Sequence, residues 1–231
     1  MKLHRFFVAE PLEMSNTPRE IPSLELLNQL KNVLRLPLHT RVSMFDSSGF
    51  DFLGEIESYG KESVSFKILE KHENTVQPPR ETWLFAAIVK KDNFEWIVEK
   101  ATELGVSHIV PVISARTEKK DLKMERLTKV SIEASEQSGR GSVPEIHNIL
   151  KLADCLDTYS YLSGIVWEPT AQKFTVGDLE KVNAVYIGPE GGWTKEELEL
   201  FEQKGIKQYS LGPQILRAET AVIAALSQIV F

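Results

Sequence analysis

The hydrophobic pattern changes along the chain, from short alternating segments to longer apolar runs separated by helices. Three segments before residue 72 alternate apolar and polar residues: RVSMFD, FDFLGEI and SVSFKIL. Alternation is typical of strands with one buried face, and glycine-containing turns at residues 47–49 and 59–61 separate the three. Closely spaced strands with short turns predict a sheet closed into a small barrel.

Two further elements and a boundary complete this N-terminal part. KLHRFFVA is predicted to be a strand, and Ser23 is predicted to cap a helix over SLELLNQLKNVLR, whose leucines share one helical face. The polar segment KHENTVQPPRE contains Pro78 and Pro79, which interrupt helix and strand alike. We therefore predict one domain over residues 1–72 and a second over residues 73–231.

Apolar strands alternate with helices after this boundary, which predicts an α/β domain with a parallel sheet covered on both faces. The predicted strands are TWLFAAIVK, HIVPVI, YLSGIVWE, AVYIG and QYSLG. Asp92 with Glu95, and Thr194 with Glu197, have the spacing of a capping box at the start of a helix.

Composition narrows the class of protein. The chain has 42% hydrophobic and 26% charged residues, as folded globular domains do, and no apolar run approaches the roughly 20 residues of a membrane span. Its first residues lack an apolar stretch of signal-peptide length, so we expect a cytoplasmic protein without membrane contact. The net charge of −6 argues against indiscriminate nucleic-acid binding but allows a local basic face.

Cysteine and histidine give little indication of a metal site. Cys155 is the single cysteine, which excludes an intramolecular disulfide, and its context LADCLD predicts a buried helical position. The five histidines show no HExxH-like pairing, so the sequence predicts no metal site.

Two glycine-containing loops follow predicted strands near the C-terminus, at residues 188–192 (GPEGG) and 211–214 (LGPQ). Ligands of parallel α/β sheets bind at the carboxyl ends of strands, so both loops are interpreted as walls of one small-molecule site. Purely structural turns also use glycine, and the spacing alone leaves both interpretations open. The sequence contains neither GxxxxGK[ST] nor GxGxxG, which disfavours a P-loop and a Rossmann-type dinucleotide site.

The last predicted helix begins with Arg217, Glu219 and Thr220, which would face the same cleft as the loops. A carboxylate in a first helical turn is explained by the helix dipole alone. An arginine at that position opposes the dipole and needs another explanation.

Two C-terminal motifs, IGPEGGWTKEELELF and LGPQILRAETA, resemble the signature of the RsmE family, the bacterial 16S ribosomal RNA uridine-N3 methyltransferases of the SPOUT class. Four further blocks resemble the family in family order: RFFV, VLRL, EKATELGVSHIVPV and EASEQSGRGSVPEI. The resemblance thus covers most of the chain. It implies a PUA-like, RNA-binding β-barrel at the N-terminus and a SPOUT domain with a C-terminal trefoil knot. It further implies a homodimer that uses S-adenosylmethionine to methylate 16S rRNA of the small ribosomal subunit.

The resemblance also implies roles for individual residues. The cofactor pocket would be formed by Ile187, Gly188, Gly191, Gly192, Leu211, Gly212, Leu216 and Thr220. Arg217 is the candidate for stabilising negative charge on uracil, and Glu219 is the candidate base for the N3 proton. A basic track for RNA phosphates would combine the arginines of the family-like blocks, Arg5, Arg35, Arg116 and Arg140.

The chain departs from the family pattern at two places, and two alternatives to the implied function stay open. Gln214 stands where the family usually has arginine, and residues 115–117 read Ala-Arg-Thr instead of Glu-Arg-Ser. A SPOUT enzyme acting on another RNA position, such as a ribose hydroxyl, would share the cofactor fold. An RNA-binding module or assembly factor that keeps the pocket without turnover is the non-enzymatic alternative.

Overall fold

The computed structural model describes residues 3–76, 78, 80–118 and 121–230. The chain forms two compact units, and each combines segments that are distant in sequence. The first contains the described residues of Met1–Gln77 together with Ser135–Val143, and the second contains those of Pro78–Ala134 and Pro144–Phe231. The division therefore differs from the predicted boundary at residue 72, which falls inside a strand and leaves residues 135–143 out of the first domain.

The first unit is built on a five-stranded sheet. Its strands are β1 (Arg5–Phe7), β2 (Arg19–Ile21), β3 (Arg41–Phe45), β4 (Phe50–Tyr59) and β5 (Val64–Glu73), in the order β1-β3-β4-β5-β2. β1 runs parallel to β3, and the other pairs are antiparallel. The three predicted alternating strands are confirmed as β3, β4 and β5, whereas β2 was not predicted.

This sheet curls around an apolar core. The register of β4 against β5 shifts twice, and such bulges bend and twist a strand pair. Phe6, Met44, Phe52 and Phe66 fill the inside and are at most 1% exposed. Among the described residues no pairing of β1 with β2 closes the sheet, so the predicted barrel is present as a curled sheet.

A short helical segment packs on the core of the first unit. Helix α1 (Leu24–Asn28) continues into a π-helical turn over Gln29–Val33, and Leu30 is fully buried. The Ser23 hydroxyl accepts a hydrogen bond from the Leu26 amide at 3.1 Å, which confirms the predicted N-cap.

Hydrogen bonds hold Ser135–Val143 in the first unit. The Glu136 carboxylate accepts from the Phe7 amide at 3.0 Å, and the Asn74 side-chain amide donates to the Gly139 carbonyl at 3.0 Å. These partners lie 129 and 65 residues apart in sequence, so spacing along the chain could not indicate them.

The second unit contains a parallel sheet, as predicted. Its strands are β6 (Trp83–Ala87), β7 (His108–Ile113), β8 (Glu145–Ile146), β9 (Leu150–Lys151), β10 (Gly164–Trp167), β11 (Ala184–Ile187) and β12 (Lys207–Tyr209). They are arranged in the order β12-β10-β11-β6-β7-β8, with β9 also on β7, and every pair is parallel. β8 and β9 are only two residues long and were not predicted.

Helices cover both faces of this sheet. They are α2 (Lys91–Glu103), α3 (Met124–Ser138), α4 (Leu152–Thr158), α5 (Val176–Leu179), α6 (Lys195–Gln203) and α7 (Ala218–Val230). One buried cluster joins the sheet to α2 and α7 through residues such as Phe94 and Leu226. A separate cluster joins it to α4 and α6 through Cys155 and Phe201. This arrangement confirms the predicted layers.

One of the two predicted capping boxes is present at the start of its helix and the other is not. The capping box of Thr194 and Glu197 is confirmed at α6. The box predicted for Asp92 and Glu95 is wrong, because α2 already begins at Lys91 and Glu95 pairs with Arg126 at 3.1 Å. None of the helices formed by the described residues is both long and apolar enough to cross a membrane.

Cys155 is buried in α4, as predicted. Burial raises the pKa of its thiol to about 12, because the apolar surroundings disfavour the thiolate. A group of this kind is a packing residue and not a nucleophile.

Candidate active site

The candidate site lies at the carboxyl edge of the parallel sheet. β10 pairs with both β11 and β12, so the loops that follow these three strands emerge side by side. Adjacent strands are about 4.8 Å apart, which places the loops after β11 and β12 on the order of 10 Å from each other. One small molecule can span that distance.

The first glycine loop turns tightly after Ile187, the buried last residue of β11. The Gly192 amide donates to the Pro189 carbonyl at 2.8 Å, and Gly192 has a φ of +68°, which favours glycine. A Cβ on Gly188 would lie 3.1 Å from Nε1 of Trp193, so the indole closes directly onto the loop. The loop conformation thus depends on its glycines.

Glu197 connects two loops at this edge. One carboxylate oxygen accepts from the Thr194 amide at 2.8 Å, as the capping box requires, and the other accepts from the Ala115 amide at 2.7 Å. The side chain is buried. Glu197 therefore holds the loop after β7 against the start of α6. The sequence predicted only its role in the capping box.

Arg116 braces the first glycine loop from the same side. Its Nη1 donates to the Gly191 carbonyl at 2.5 Å and lies 3.3 Å from the Trp193 carbonyl. A Cβ on Gly191 would come within 3.2 Å of the arginine side chain. The arginine itself remains exposed, so it can contact a ligand as well as the loop.

A cleft of about 590 Å³ opens beside this loop, within the range typical of small-molecule sites. It is lined by Ile88, Val89, Lys90, Ala115, Arg116, Thr117, Glu118, Glu190 and Gly191. Of the predicted cofactor residues it includes Gly191 alone; the predicted residues of the second loop do not line it. Lys90 and Arg116 are the cationic groups among the described lining residues.

The second glycine loop is joined to the segment that follows β10. The Ser210 hydroxyl lies 3.1 Å from the Pro169 carbonyl and accepts from the Gly212 amide at 3.2 Å. Gly212 has a φ of +147°, and Leu211 and Leu216 are half-buried. Ser210 and Pro169 were not singled out from the sequence, because neither belongs to a recognisable motif.

Arg217, directly before α7, and Thr220, in its first turn, are exposed to solvent, while Glu219 is half-buried. Buried side-chain atoms without a hydrogen-bond partner in the described part of the chain include Oε2 of Glu219, Nε1 of Trp167 and Nε1 of Trp193. Leaving a buried polar group unpaired costs about 1–3 kcal/mol. A polar ligand that reached these atoms would supply the missing partners.

The four predicted RNA-binding arginines fall into two classes. Arg35 and Arg116 are exposed. Arg5 pairs with Asp51 at 2.5 Å, lies over the Phe45 ring, and has a side chain only 11% exposed. Arg140 is 3% exposed, and burial lowers its pKa to about 10. The geometry therefore argues against direct phosphate contact by Arg5 and Arg140, since such a contact needs an accessible guanidinium group.

Comparison with known proteins agrees with this architecture. Residues 76–230 match the family described as the RNA methyltransferase domain. The ribosomal RNA small subunit methyltransferase E of Rickettsia conorii is 32% identical over 99% of this chain and 96% of its own length. The Bacillus subtilis protein of the same name is 34% identical over 89% of this chain and 87% of its own.

A solved structure extends the similarity to three dimensions. The ribosomal RNA small subunit methyltransferase E of Neisseria gonorrhoeae, bound to S-adenosylmethionine, superimposes with a TM-score of 0.89 and 28% identity. The match covers 98% of this chain and 96% of the Neisseria chain. The chain belongs to the ribosomal RNA small subunit methyltransferase E family, and residues 76–230 form its RNA methyltransferase domain.

Proposed function

We propose that this protein transfers a methyl group from S-adenosylmethionine to N3 of a specific uridine in 16S rRNA of the small ribosomal subunit. The observation that carries the proposal is the arrangement at the carboxyl edge. There, the loops after β11 and β12 flank β10, and the segment Arg217 to Thr220 follows directly. The names of the relatives and the S-adenosylmethionine bound to the Neisseria protein support the same chemistry.

The residues at this edge suit S-adenosylmethionine. Ile187, Leu211 and Leu216 offer apolar surface, while Gly188, Gly191, Gly192 and Gly212 let backbone groups approach a ligand closely. The unpaired Trp167 indole can donate to a polar group of the cofactor, and the unpaired Glu219 oxygen can accept from the uracil. The cofactor supplies an activated methyl group with its own leaving group, so the protein's task is alignment.

The acceptor nitrogen determines which catalytic groups the protein must supply. Uridine N3 carries a proton, which must leave as the bond from N3 to the methyl carbon forms. Glu219 accepts that proton, and the exposed guanidinium of Arg217 stabilises the negative charge that develops on a uracil oxygen. Thr220, exposed in the first turn of α7, completes the cofactor side of the site.

RNA binding is assigned to the accessible basic groups. Arg116 lies on the rim of the 590 Å³ cleft with Lys90, which suits the cleft for a nucleotide next to the methyl donor. Arg35 lies exposed in the first unit, for which we propose a PUA-like, RNA-binding role.

The finer architecture is also a proposal. The chain leaves β12 at the edge of the sheet, and α7 returns to pack against β11 and α2, which supports a C-terminal trefoil knot. Ile215, directly after the second glycine loop, is 88% exposed, which supports a homodimer in which the partner covers it. A protein that modifies small-subunit RNA would work in the cytoplasm.

Methyl transfer to small subunits tests the proposed function. The substrate is taken from a strain without this gene, and S-adenosylmethionine carries a tritiated methyl group. After digestion to nucleosides, we expect the label in 3-methyluridine. Label in a ribose-methylated nucleoside would instead assign the chain to another RNA position. Absence of both transfer and calorimetric S-adenosylmethionine binding would indicate a non-enzymatic RNA-binding protein.

A further inference from the structure

The amino edge of the parallel sheet, opposite the candidate active site, carries a cluster of imidazole and carboxylate groups. His108 is the first residue of β7, and Glu145 is the first residue of β8. The two are register partners in neighbouring parallel strands. His147 follows β8 directly, so three possible metal ligands meet where β7 and β8 begin.

The ligand atoms of the three residues converge. Nδ1 of His108 lies 3.1 Å from Nε2 of His147 and 3.5 Å from Oε2 of Glu145. One ligand atom from each residue can be chosen so that all lie within 4.8 Å of one another. Zinc binds histidine nitrogen at about 2.0–2.1 Å, so two nitrogens on one ion lie roughly 3.0–3.4 Å apart. The two histidines already have that separation.

The surroundings orient both rings. Trp83 stacks on His108 with ring centroids 3.8 Å apart and an interplanar angle of 15°, and it stacks on His147 at 5.0 Å. Nε2 of His108 lies 3.0 Å from a carboxylate oxygen of Glu81. When Nε2–H donates to Glu81, the lone pair of Nδ1 is directed toward the other two ligands, and this carboxylate–histidine arrangement is typical of zinc sites.

We propose that His108, His147 and Glu145 bind one divalent transition-metal ion, Zn²⁺, with water in the remaining position. Without a metal, the two rings can share a hydrogen bond, and Glu145 can pair with Nδ1 of His108 at 3.5 Å or of His147 at 3.6 Å. A bound cation would instead account for the convergence of one ligand atom from each of the three residues within 4.8 Å. Two imidazoles and a carboxylate form a ligand set that zinc commonly takes in proteins. The ion would tie the start of β7 to β8 and stabilise this edge of the sheet.

This cluster could not be predicted from the sequence, because its members are spread from residue 81 to residue 147. Strand register alone brings His108 beside Glu145, and the pairing of β8 follows from no motif. The sequence predicted no metal site because no two histidines have an HExxH-like spacing. In the structure, the pairing of β7 with β8 brings two histidines together that are distant in sequence.

Titration calorimetry with ZnCl₂ tests the proposal on the full chain after treatment with a chelator and desalting. We expect one equivalent of Zn²⁺ per chain and a rise in the melting temperature when zinc is added. His147→Gln and Glu145→Gln should each weaken zinc binding at least tenfold. Glu81→Gln, which removes the outer carboxylate, should weaken it about 10–100-fold.

His72→Gln is the matched control, since His72 also pairs with a single glutamate, Glu70, at 2.7 Å but lies outside the cluster. It should leave zinc affinity unchanged. The Glu145 side chain is 65% exposed and Glu145→Gln keeps its size, so this variant remains informative if His147→Gln folds poorly. The proposal is wrong if the unaltered chain binds no zinc, or if Glu145→Gln and His72→Gln bind it as tightly as the unaltered chain.

Discussion

The two edges of the parallel sheet differ in how their functional groups are distributed along the chain. At the carboxyl edge, the glycine loops and the Arg217 to Thr220 segment all fall within residues 187–220. At the amino edge, Glu81, His108, Glu145 and His147 come from three separate segments. Sequence motifs therefore indicate the functional groups at the carboxyl edge. Those at the amino edge become apparent only from the pairing of strands. If the two edges are independent, variants at one should leave the function of the other intact.

Glu219→Gln should give the largest effect. Removing the proposed base should lower the single-turnover rate of methyl transfer by about 10²–10⁴-fold, while S-adenosylmethionine affinity stays nearly unchanged. Glu125→Gln is the control, because Glu125 also lies in the first turn of a helix, α3, but is exposed and distant in sequence from the motifs. A nearly normal transfer rate in Glu219→Gln would show that Glu219 is not the base.

Arg217→Ala comes next. Loss of a charge that stabilises the uracil oxygen should reduce transfer about 10²–10³-fold, as measured with a tritiated methyl donor and saturating ribosomal RNA. Arg126→Ala serves as the control, since Arg126 is an exposed arginine paired with Glu95. Near-normal transfer by Arg217→Ala would show that the proposed role is wrong.

Gly212→Ala separates ligand binding from stability. At a φ of +147° a side chain introduces strain of about 1–3 kcal/mol, so a loop that must keep this conformation to bind should lose affinity roughly fivefold to a hundredfold. Calorimetry with S-adenosylmethionine measures the loss.

Gly205→Ala provides the comparison, because Gly205 also has a positive φ, +72°, but ends α6 away from the loops. It should cost stability without changing the affinity for S-adenosylmethionine. Equal affinity in both variants would mean that the second glycine loop does not hold the donor.

Glu197→Gln should have the smallest effect, and it acts on stability. An amide cannot accept at both ends, so either the Thr194 or the Ala115 amide loses its acceptor. The free energy of unfolding should fall by about 1–3 kcal/mol in a denaturant titration. Glu199→Gln, an exposed position on the same helix, should change it by less than about 0.5 kcal/mol. Equal stability of the two variants would mean that Glu197 does not hold the loop after β7.

Local signals account for what the sequence could predict. Alternation located β3 to β5, and the Thr194–Glu197 spacing located the start of α6, because each pattern is contained in a few consecutive residues. Strand and helix alternation also gave the parallel sheet, and hence the edge where the glycine loops lie.

Contacts between distant segments account for what the sequence could not predict. The second role of Glu197 depends on Ala115, 82 residues away. Arg5 was predicted to contact RNA phosphates because nothing local indicates that Asp51 pairs with it. Residues 135–143 join the first unit through hydrogen bonds to Phe7 and Asn74, which no periodicity in α3 indicates.

Complementation in cells tests the central claim most directly. Small-subunit RNA from a strain without this gene is digested and analysed by mass spectrometry, with and without the gene restored. We predict that 3-methyluridine is absent without the gene, returns with the unaltered chain, and does not return with Arg217→Ala. Unchanged 3-methyluridine in the deletion strain, with loss of a ribose-methylated nucleoside instead, would contradict the proposed reaction.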